Sequence, residues 1–501
     1  MSDVASILET SGPSRSSEVA ARLQTLSGMS PEAARQVVSR AGQPIMKLKG
    51  ILPKNEAFLY LESDYFSERY IDNLTEALRV TGSAYSYALD GLAARGGAVY
   101  LDEFSVISGS ADRQKGHIPN SAIFQRLVDY GLMDTHETDR GPVISLSAGS
   151  GYRYGHSYMY ARHRAESVLL DAFSQWLKNL GMVSCDKVAI RGDDHPRTVG
   201  PFKFDLTAPS YLSPIATLSG SGKRPGFVFA DVFSDSRLDE RHVAYFFRKL
   251  KSISALRNIG RVLPYLIAPG FSKEALRLGR ELGVIMATPS NLFGERLGQG
   301  LNDLTQTLKN AGAVVAKEPE RLSMMIDRLA DIEGKSGNLR GILFELFTAF
   351  LMRHDGRWIS LGTIATDPAT GKSAEIDILA DHGVTDRVAI ECKAKVPGGE
   401  LSLEEVEDWI RRIPLWTKWL RDIPARQNAN LSFQIWTSGR ISEDALRRLQ
   451  KEKQMRTKVE IDWKDGQAVR DFAKSKKEKH VTEAFDHHFF RNPLKDIITI
   501  D

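Results

Sequence analysis

The segment from residue 375 to residue 395 constrains the fold of this chain more than any other part of it. It contains Glu-Ile-Asp-Ile-Leu-Ala, then a turn marked by Asp381, Gly383 and Asp386, then Val-Ala-Ile-Glu-Cys-Lys-Ala-Lys. Two short apolar runs on either side of such a turn predict a β-hairpin.

The charged residues of this hairpin should meet on one face. Because alternate side chains of a strand share a face, Glu375 and Asp377 lie together on the first strand, and Glu391, Lys393 and Lys395 on the second. The intervening residues are expected to point into apolar packing; they are Ile376, Ile378, Ile390 and Cys392. Carboxylate oxygens bind hard cations such as Mg²⁺. A metal and a lysine at one spot could activate water and stabilise a phosphodiester transition state.

This arrangement resembles the PD-(D/E)XK nuclease superfamily, which has the restriction-endonuclease-like fold. In that family an Asp on one strand and an acid-x-Lys on the next form the active site, and a Glu on the preceding helix often completes it. The matching residues here are Asp377, the Glu391-Cys392-Lys393 segment, and Glu345 within Gly341-Ile-Leu-Phe-Glu345. Ile376 stands where the family motif has Pro.

The resemblance covers residues 335–475, about a quarter of the chain. It implies that Glu345, Asp377 and Glu391 hold one or two Mg²⁺ ions, for which Mn²⁺ can substitute. It also implies that Lys393 stabilises the transition state and orients water.

The residues after the hairpin fit the same family. A helix is predicted over 401–422, a strand over Leu431–Trp436, a helix capped by Ser442 and a strand over Lys458–Trp463. The order helix, hairpin, helix, strand, helix, strand is that expected of its α/β core, and it is closest to the Mrr-like members. The alternative is a solvated hairpin with an accidental ion pair.

A similarity in pattern between two segments of the chain predicts a second copy of this fold. Leu263–Leu278 matches Phe433–Arg448 as a buried strand, a Gly turn, a Ser N-cap and an Ala-Leu-Arg helix. Gly226–Phe233 then takes the place of the Glu-x-Lys strand and Phe202–Leu206 that of the Asp strand. The helix Glu166–Leu180 takes the place of the Glu345 helix.

The copy that comes earlier in the chain is expected to be catalytically silent. Glu166 and Asp205 remain, but Ala230 and Val232 are predicted at the positions of the Glu and the Lys. Residues 155–300 are therefore interpreted as a degenerate copy without the charges for catalysis. The alternative is that α/β domains generally repeat strand-turn-helix units.

Composition fits a large protein of several domains without a membrane span. The 501 residues are 42% hydrophobic and 26% charged, which is ordinary for globular proteins. No apolar run approaches the length needed to cross a bilayer, and no secretory signal is evident at the start. Only Cys185 and Cys392 are present, which excludes a disulfide framework and a cysteine zinc site. A reducing cytoplasm is therefore the expected location.

The first 150 residues predict winged-helix material. Ser16 begins one helix, and Ser30-Pro31 begins another, with Ile45–Leu61 supplying a wing hairpin. A similar series of two helices, a strand and a further helix is predicted from Tyr65 to Leu146. A recognition helix of this kind would place Arg35 and Arg40 near DNA, although winged helices also bind proteins.

A basic face is predicted near the C-terminus. Residues 451–479 are rich in Lys and Arg, and such a face attracts a phosphate backbone, although a solvated helix has the same composition. The candidate DNA contacts in the catalytic part of the chain are Lys395, Lys474, Lys476 and Lys477.

The sequence thus predicts an α/β multidomain protein: a winged-helix-like N-terminal region followed by two restriction-endonuclease-like α/β domains, the first degenerate. The predicted divisions are 1–150 for one or two winged-helix-like modules, 151–300 for the degenerate domain, 301–335 for a helical connector, 336–480 for the catalytic domain and 481–501 for a tail.

The leading hypothesis is a Mg²⁺-dependent deoxyribonuclease in restriction or antiviral defence, acting on DNA as a homodimer with or without a partner protein of a defence system, and with no membrane partner. The competing hypothesis is a non-catalytic DNA-binding or assembly protein that uses nuclease-like folds as scaffolds.

Overall fold

The structure is a computed structural model of the chain. It describes residues 3–112, 118–138, 141–147, 155–193, 195–213, 215–219, 222–235, 237–256, 259–309, 325, 328–329, 337–383, 386–422, 429–477, 482–483, 485–486 and 489. Most of the predicted connector 301–335 and of the predicted tail 481–501 lies outside the described residues. The protein is mixed α/β, with several separate sheets. None of the described helices is long and apolar enough to cross a membrane.

The N-terminal unit is a small helical cluster with a three-stranded sheet. Its elements are α1 (Asp3–Ser11), β1 (Ser14–Arg15), α2 (Ser16–Ser27), α3 (Pro31–Arg40), β2 (Ile45–Leu48) and β3 (Phe58–Leu61). The strand order is β1-β3-β2. The predicted N-cap of α3 is confirmed, because the Ser30 hydroxyl accepts a hydrogen bond from the Ala33 backbone N–H and Pro31 occupies the first turn.

A second unit repeats this order of elements. After α4 (Glu68–Val80), the series is α5 (Ala84–Ala94), β4 (Ala98–Tyr100), α6 (Leu101–Ile107), α7 (Asn120–Asp129), β5 (Met133–His136) and β6 (Val143–Leu146). Its strand order, β4-β6-β5, reproduces that of the first unit. A second series of elements is thus present, but it begins at Ala84, after α4, and not at Tyr65 as predicted.

The first α/β unit is built on a long helix and a five-stranded sheet. Its elements are α8 (His156–Asn179), β7 (Ala189–Ile190), β8 (Thr198–Val199), β9 (Phe202–Lys203), β10 (Leu206–Ser210), β11 (Thr217–Ser219), β12 (Gly222–Arg224), β13 (Gly226–Val232), β14 (Arg237–Leu238), α9 (Glu240–Ser254), β15 (Val262–Ile267), β16 (Gly270–Phe271), α10 (Lys273–Glu281), β17 (Ile285–Ala287), α11 (Pro289–Phe293) and α12 (Glu295–Lys309). The strand order of the sheet is β7-β10-β13-β15-β17. The strand predicted at Phe202–Leu206 is divided between β9 and β10, with Asp205 between them.

The second α/β unit has the same plan. Its elements are α13 (Gly337–His354), β18 (Trp358–Thr366), β19 (Ser373–His382), β20 (Asp386–Lys393), β21 (Glu400–Leu401), α14 (Leu403–Arg421), β22 (Asn430–Thr437), β23 (Arg440–Ile441), α15 (Glu443–Met455), β24 (Glu460–Lys464) and α16 (Gly466–Ser475). The five-stranded order is β18-β19-β20-β22-β24. The hairpin and the elements predicted after it are confirmed, but β18 was not predicted.

The two five-stranded sheets agree in strand order and in strand direction. In each sheet the first two pairings are antiparallel and the last two are parallel. The predicted repetition of elements is therefore confirmed. Helices α8 and α13 pack into one continuous apolar core, in which Val168 and Leu169 belong to the same cluster as Leu343 and Phe347.

Candidate functional site

The candidate site forms where the β19–β20 ladder ends. The paired residues run from His382 opposite Asp386 to Ile378 opposite Ile390. Beyond that pair, a side-chain contact replaces the backbone ladder: Asp377 Oδ2 accepts a hydrogen bond of 2.8 Å from the Cys392 backbone N–H. Asp377 is therefore fixed against β20 by its own carboxylate.

The apolar residues around Asp377 do not share one face as predicted. Ile378, Ile390 and Cys392 pack in the core shared with α13, whereas Ile376 packs in the other core with Trp409 of α14. The strand changes the face it presents at Asp377, where its ladder with β20 stops. The prediction for Ile376 was wrong because strict alternation does not hold across such a break.

Glu391 and Lys393 lie together, as the sequence predicted. Lys393 Nζ is 2.8 Å from Glu391 Oε1, and Arg412 of α14 approaches the same oxygen at 3.3 Å. The Glu391 side chain is buried, and its Oε2 has no hydrogen-bond partner in the described part of the chain. Lys393 keeps 29% of its side chain exposed, so its ammonium is within reach of a substrate.

Glu345 approaches from α13 and is held by residues of the first α/β unit. Arg164 Nη2 of α8 is 2.5 Å from Glu345 Oε1, and the Tyr160 hydroxyl donates to Oε2 at 3.4 Å. Neither Tyr160 nor Arg164 was predicted from the sequence. The only signal available was the helical spacing of Tyr160 and Arg164 in a segment distant from the hairpin.

The site carries more negative charge than its cations neutralise. Burial, followed by the charge of Asp377, raises the pKa of Glu391 to about 7. Burial also raises the pKa of Glu345 to about 7; the Arg164 guanidinium opposes this rise, while Asp377 and Glu375 add to it. Buried carboxyls whose pKa values are raised in this way are characteristic of functional sites.

The donor chemistry fits a hard divalent cation, although the carboxylates are turned to other partners. Among the residues that the structure describes, no group of three or more His, Cys, Asp or Glu side chains is placed to hold a metal ion. Glu345 is directed to Arg164 and Glu391 to Lys393. An all-oxygen set with excess negative charge suits Mg²⁺ or Mn²⁺. Binding would therefore require these carboxylates to exchange ion-pair partners.

The first α/β unit contains the equivalent position, in a different register from the one predicted. Asp205 Oδ2 accepts a 3.0 Å hydrogen bond from the Val232 backbone N–H, the counterpart of the bond between Asp377 and Cys392. This bond aligns Asp231 with Glu391 and Phe233 with Lys393. The predicted residues Ala230 and Val232 instead face the core beside α8. The acid is therefore retained as Asp231, and only the lysine is lost.

The acids of this first site are neutralised by buried cations. Arg191 lies 2.8 Å from both Glu166 and Asp205, and Arg95 pairs with the same two carboxylates. Burial favours the protonated acids, but the guanidiniums outweigh it and lower the pKa of Glu166 and of Asp205. Arg162 also pairs with Glu166, Lys249 with Asp231, and Arg191 with Glu103.

Arg95 occupies the space beside Phe233. Its guanidinium lies 4.5 Å from the centre of the Phe233 ring, at the position that corresponds to Lys393. Lys249 and Arg412 also correspond, because they stand equally far from the N-caps of their helices, Asp239 and Ser402. The first unit thus keeps the layout of the site while filling it with protein cations.

A basic groove lies on the N-terminal unit between α3 and the β2–β3 hairpin. It is lined by Arg35 of α3 and by Lys47, Lys49 and Lys54. Arg35 and Arg40 are both exposed, but Arg40 does not line the groove. The three lysines were not predicted, although the Lys-Leu-Lys run at 47–49 was a visible signal.

The predicted basic face at the C-terminus is partly neutralised. Lys395 pairs with Glu405 at 2.6 Å, and Lys476 pairs with Asp355 at 2.7 Å. Lys474 and Lys477 are exposed, and Lys474 lies 4.0 Å from Asp471. Lys395 and Lys476 are therefore the weaker candidates for DNA contact.

Comparison with known proteins adds little to this geometry. No family model and no curated protein matches the chain. A solved structure described as a protein of unknown function, AF1548, is 18% identical, and the match covers 26% of this chain and 63% of that chain. Its TM-score of 0.21 is too low to bear on the fold or the function.

Proposed function

We propose that the chain is a metal-dependent DNA endonuclease of the PD-(D/E)XK type, active in the cytoplasm in restriction or antiviral defence. The observation that carries this proposal is the meeting of Asp377, Glu391 and Lys393 at the end of the β19–β20 ladder, with Glu345 buried beside Asp377. In this proposal the first two units are winged-helix-like modules, and both α/β units have the restriction-endonuclease-like fold.

Each residue of the site has a definite role in this mechanism. Glu345, Asp377 and Glu391 would hold Mg²⁺ or Mn²⁺, which when bound activates water and stabilises negative charge on phosphate. Asp377 is kept in place by the Cys392 backbone N–H. Lys393, partly exposed, donates to a phosphate oxygen and orients the attacking water.

The first α/β unit is proposed to be catalytically silent. Phe233 replaces the lysine, and its acids are already paired with Arg95, Arg191 and Lys249. A metal would have to displace several buried guanidiniums to bind there. In this proposal the described part of one chain therefore contributes one active site.

DNA is the proposed partner of the N-terminal groove. Four basic side chains in one concave surface favour a polyanion, and burial with the neighbouring charge of Lys49 lowers the pKa of Lys47. Exposed Lys474 and Lys477 would add contacts near the C-terminus. Binding of an acidic protein by the same groove is the alternative.

A second candidate function is a non-catalytic DNA-binding or assembly protein. The observation in its favour is that Glu345 and Glu391 are paired with Arg164 and Lys393 instead of converging. In that case the second site would be a structural ion-pair cluster, as the first one is.

Cleavage of plasmid DNA tests the proposal. Purified full-length protein is incubated with supercoiled plasmid in Mg²⁺, in Mn²⁺ and in EDTA, and Glu391→Gln is compared with Glu460→Gln, an exposed glutamate of the same sheet. We expect metal-dependent nicking or linearisation by the wild type and by Glu460→Gln alone. A Glu391→Gln variant as active as wild type would refute the assignment of the site, and a wild type that is inert with both metals would favour the non-catalytic function.

A further inference from the structure

Helix α8 presents different side chains to the two sites. Successive residues of an α-helix are turned by about 100°, so residues four apart share a face and residues two apart lie on nearly opposite faces. Arg162 and Glu166 form one such pair and contact each other at 2.9 Å in the first site. Tyr160 and Arg164 form the other pair and reach Glu345 of the second site.

The second unit is shaped to receive this face of α8. Gly362 of β18 lies between the residues paired with Ile376 and Ile378, and so opposite Asp377. A Cβ added at Gly362 would be 2.6 Å from the Tyr160 ring. The ring therefore lies against the strand beside the candidate site, and the Arg164 guanidinium is 5.4 Å from its centre.

The Arg164 guanidinium is ion-paired with Glu345, a carboxylate that the proposed metal would need as a ligand. Its ion pair with Glu345 is short and shielded, since 18% of the Arg164 side chain and 8% of the Glu345 side chain are exposed. The charges of Glu375 and Asp377 also act on Glu345. A divalent cation at this carboxylate would be repelled by the guanidinium and would have to displace it.

We propose that Arg164 competes with the divalent metal for Glu345, so that the first α/β unit restrains metal loading of the second. This inference rests on the proposed function, because it assumes that Glu345 is a metal ligand. It gives the silent unit a regulatory role: its helix holds the neighbouring site in a metal-poor state.

Metal affinity tests this competition without any need for cleavage. The full-length chain and its variants are titrated with Mn²⁺ by isothermal calorimetry at one pH. We expect Arg164→Gln to bind Mn²⁺ on the order of tenfold more tightly than wild type, and Arg164→Lys to lie between the two. Arg357→Gln is the control, since Arg357 forms a comparable ion pair with Asp386 away from Glu345.

The outcomes separate this inference from the proposed function. Mn²⁺ binding by the wild type that Asp377→Asn abolishes, together with unchanged or weaker binding by Arg164→Gln, would overturn the inference alone. No Mn²⁺ binding by either the wild type or Arg164→Gln would overturn both. If circular dichroism shows Arg164→Gln to be unfolded, the charge-conserving Arg164→Lys decides: tighter binding supports the competition, and equal or weaker binding refutes it.

Discussion

At the scale of single residues, the two sites differ in charge balance. In the first site four acids meet four cations: Glu103, Glu166, Asp205 and Asp231 with Arg95, Arg162, Arg191 and Lys249. In the second site, among the described residues, four acids face three cations: Glu345, Glu375, Asp377 and Glu391 with Arg164, Lys393 and the half-exposed Arg412. Since an excess of buried negative charge is costly, the second site has more to gain from a metal.

Glu391 should make the metal-free protein less stable as the pH rises. Its pKa is raised from an ordinary 4.5 to about 7 in the folded state, so its stabilising protonation is complete below pH 4.5 and is lost as the pH rises towards 7. In EDTA at pH 8, we expect Glu391→Gln to have a free energy of unfolding on the order of 2 kcal/mol above wild type. At pH 4.5 the two should be nearly equal.

Urea unfolding at both pH values measures this difference. Glu460→Gln is the control, and its stability should follow that of the wild type because its side chain is exposed. A Glu391→Gln variant that is less stable than wild type at pH 8 would show that the carboxylate is favourably paired rather than strained.

The residues of the site were predicted from two kinds of signal in the sequence. Glu391 and Lys393 follow from strand alternation, whereas Asp377 and Glu345 were also assigned by resemblance to a nuclease motif, and strict alternation breaks at Asp377. The assignment of Ala230 and Val232 failed by one residue, because the register of the two units is matched through the hydrogen bond that the Val232 backbone N–H donates to Asp205, and the sequence does not reveal that bond. Asp231 was nevertheless visible as an acid within an apolar run.

At the scale of secondary-structure elements, α8 serves both α/β units, and Gly362 is the position where it contacts the second. Gly362→Ala would place a side chain at a positive φ and only 2.6 Å from Tyr160. We therefore expect it to lower the free energy of unfolding by about 2–4 kcal/mol. Gly371→Ala is the matched control: its φ is also positive, but no atom lies within 4 Å of the added Cβ. Gly371→Ala should lower the free energy of unfolding by about 1 kcal/mol.

Thermal unfolding of both glycine variants checks this contact, because the difference between them isolates the clash with Tyr160 from the strain common to a positive φ. Equal melting temperatures would mean that α8 does not pack tightly on β18.

Arg95 joins another pair of elements, because it caps the end of α5 and pairs with Glu166 and Asp205 in the first α/β unit. Arg95→Met should lower the free energy of unfolding by about 3–5 kcal/mol, because it removes a cation that neutralises buried carboxylates. Arg277→Met should change stability little, because Arg277 forms its ion pairs on the surface. Denaturant titration compares the two, and a small loss for Arg95→Met would show that Arg191 suffices to neutralise the cluster.

Elements with local signals were predictable, and those defined by distant contacts were not. The caps at Ser30 and Ser442 are sequence-local and were predicted correctly. Strand β18 was missed: Trp358 at its start is exposed and Gly362 interrupts its pattern, so its place in the sheet depends on pairing with β19. Tyr160 and Arg164 were missed for the same reason, since only tertiary packing brings α8 to Glu345.

At the scale of the whole molecule, the described residues of one chain form one candidate active site. The strands of a duplex are antiparallel, so symmetrical double-strand cleavage is most simply achieved by two sites related by a two-fold axis, the commonest oligomer symmetry. We expect a homodimer to linearise plasmid, whereas a monomer would mainly nick it. Light scattering alongside plasmid cleavage measures both; a strict monomer that linearises plasmid in one binding event would contradict this expectation.

The most direct test of the central claim is single-turnover cleavage of duplex DNA in Mg²⁺ by Lys393→Ala and Lys273→Ala. Lys393 belongs to the site, whereas Lys273 is an exposed lysine of α10, outside the site and the predicted basic face. We predict that Lys393→Ala cuts at least about 100-fold more slowly than wild type while still binding DNA, because it lacks the cation that would stabilise the transition state in the proposed mechanism. Lys273→Ala should cut at the wild-type rate. A Lys393→Ala protein that cleaves as fast as wild type would contradict the account.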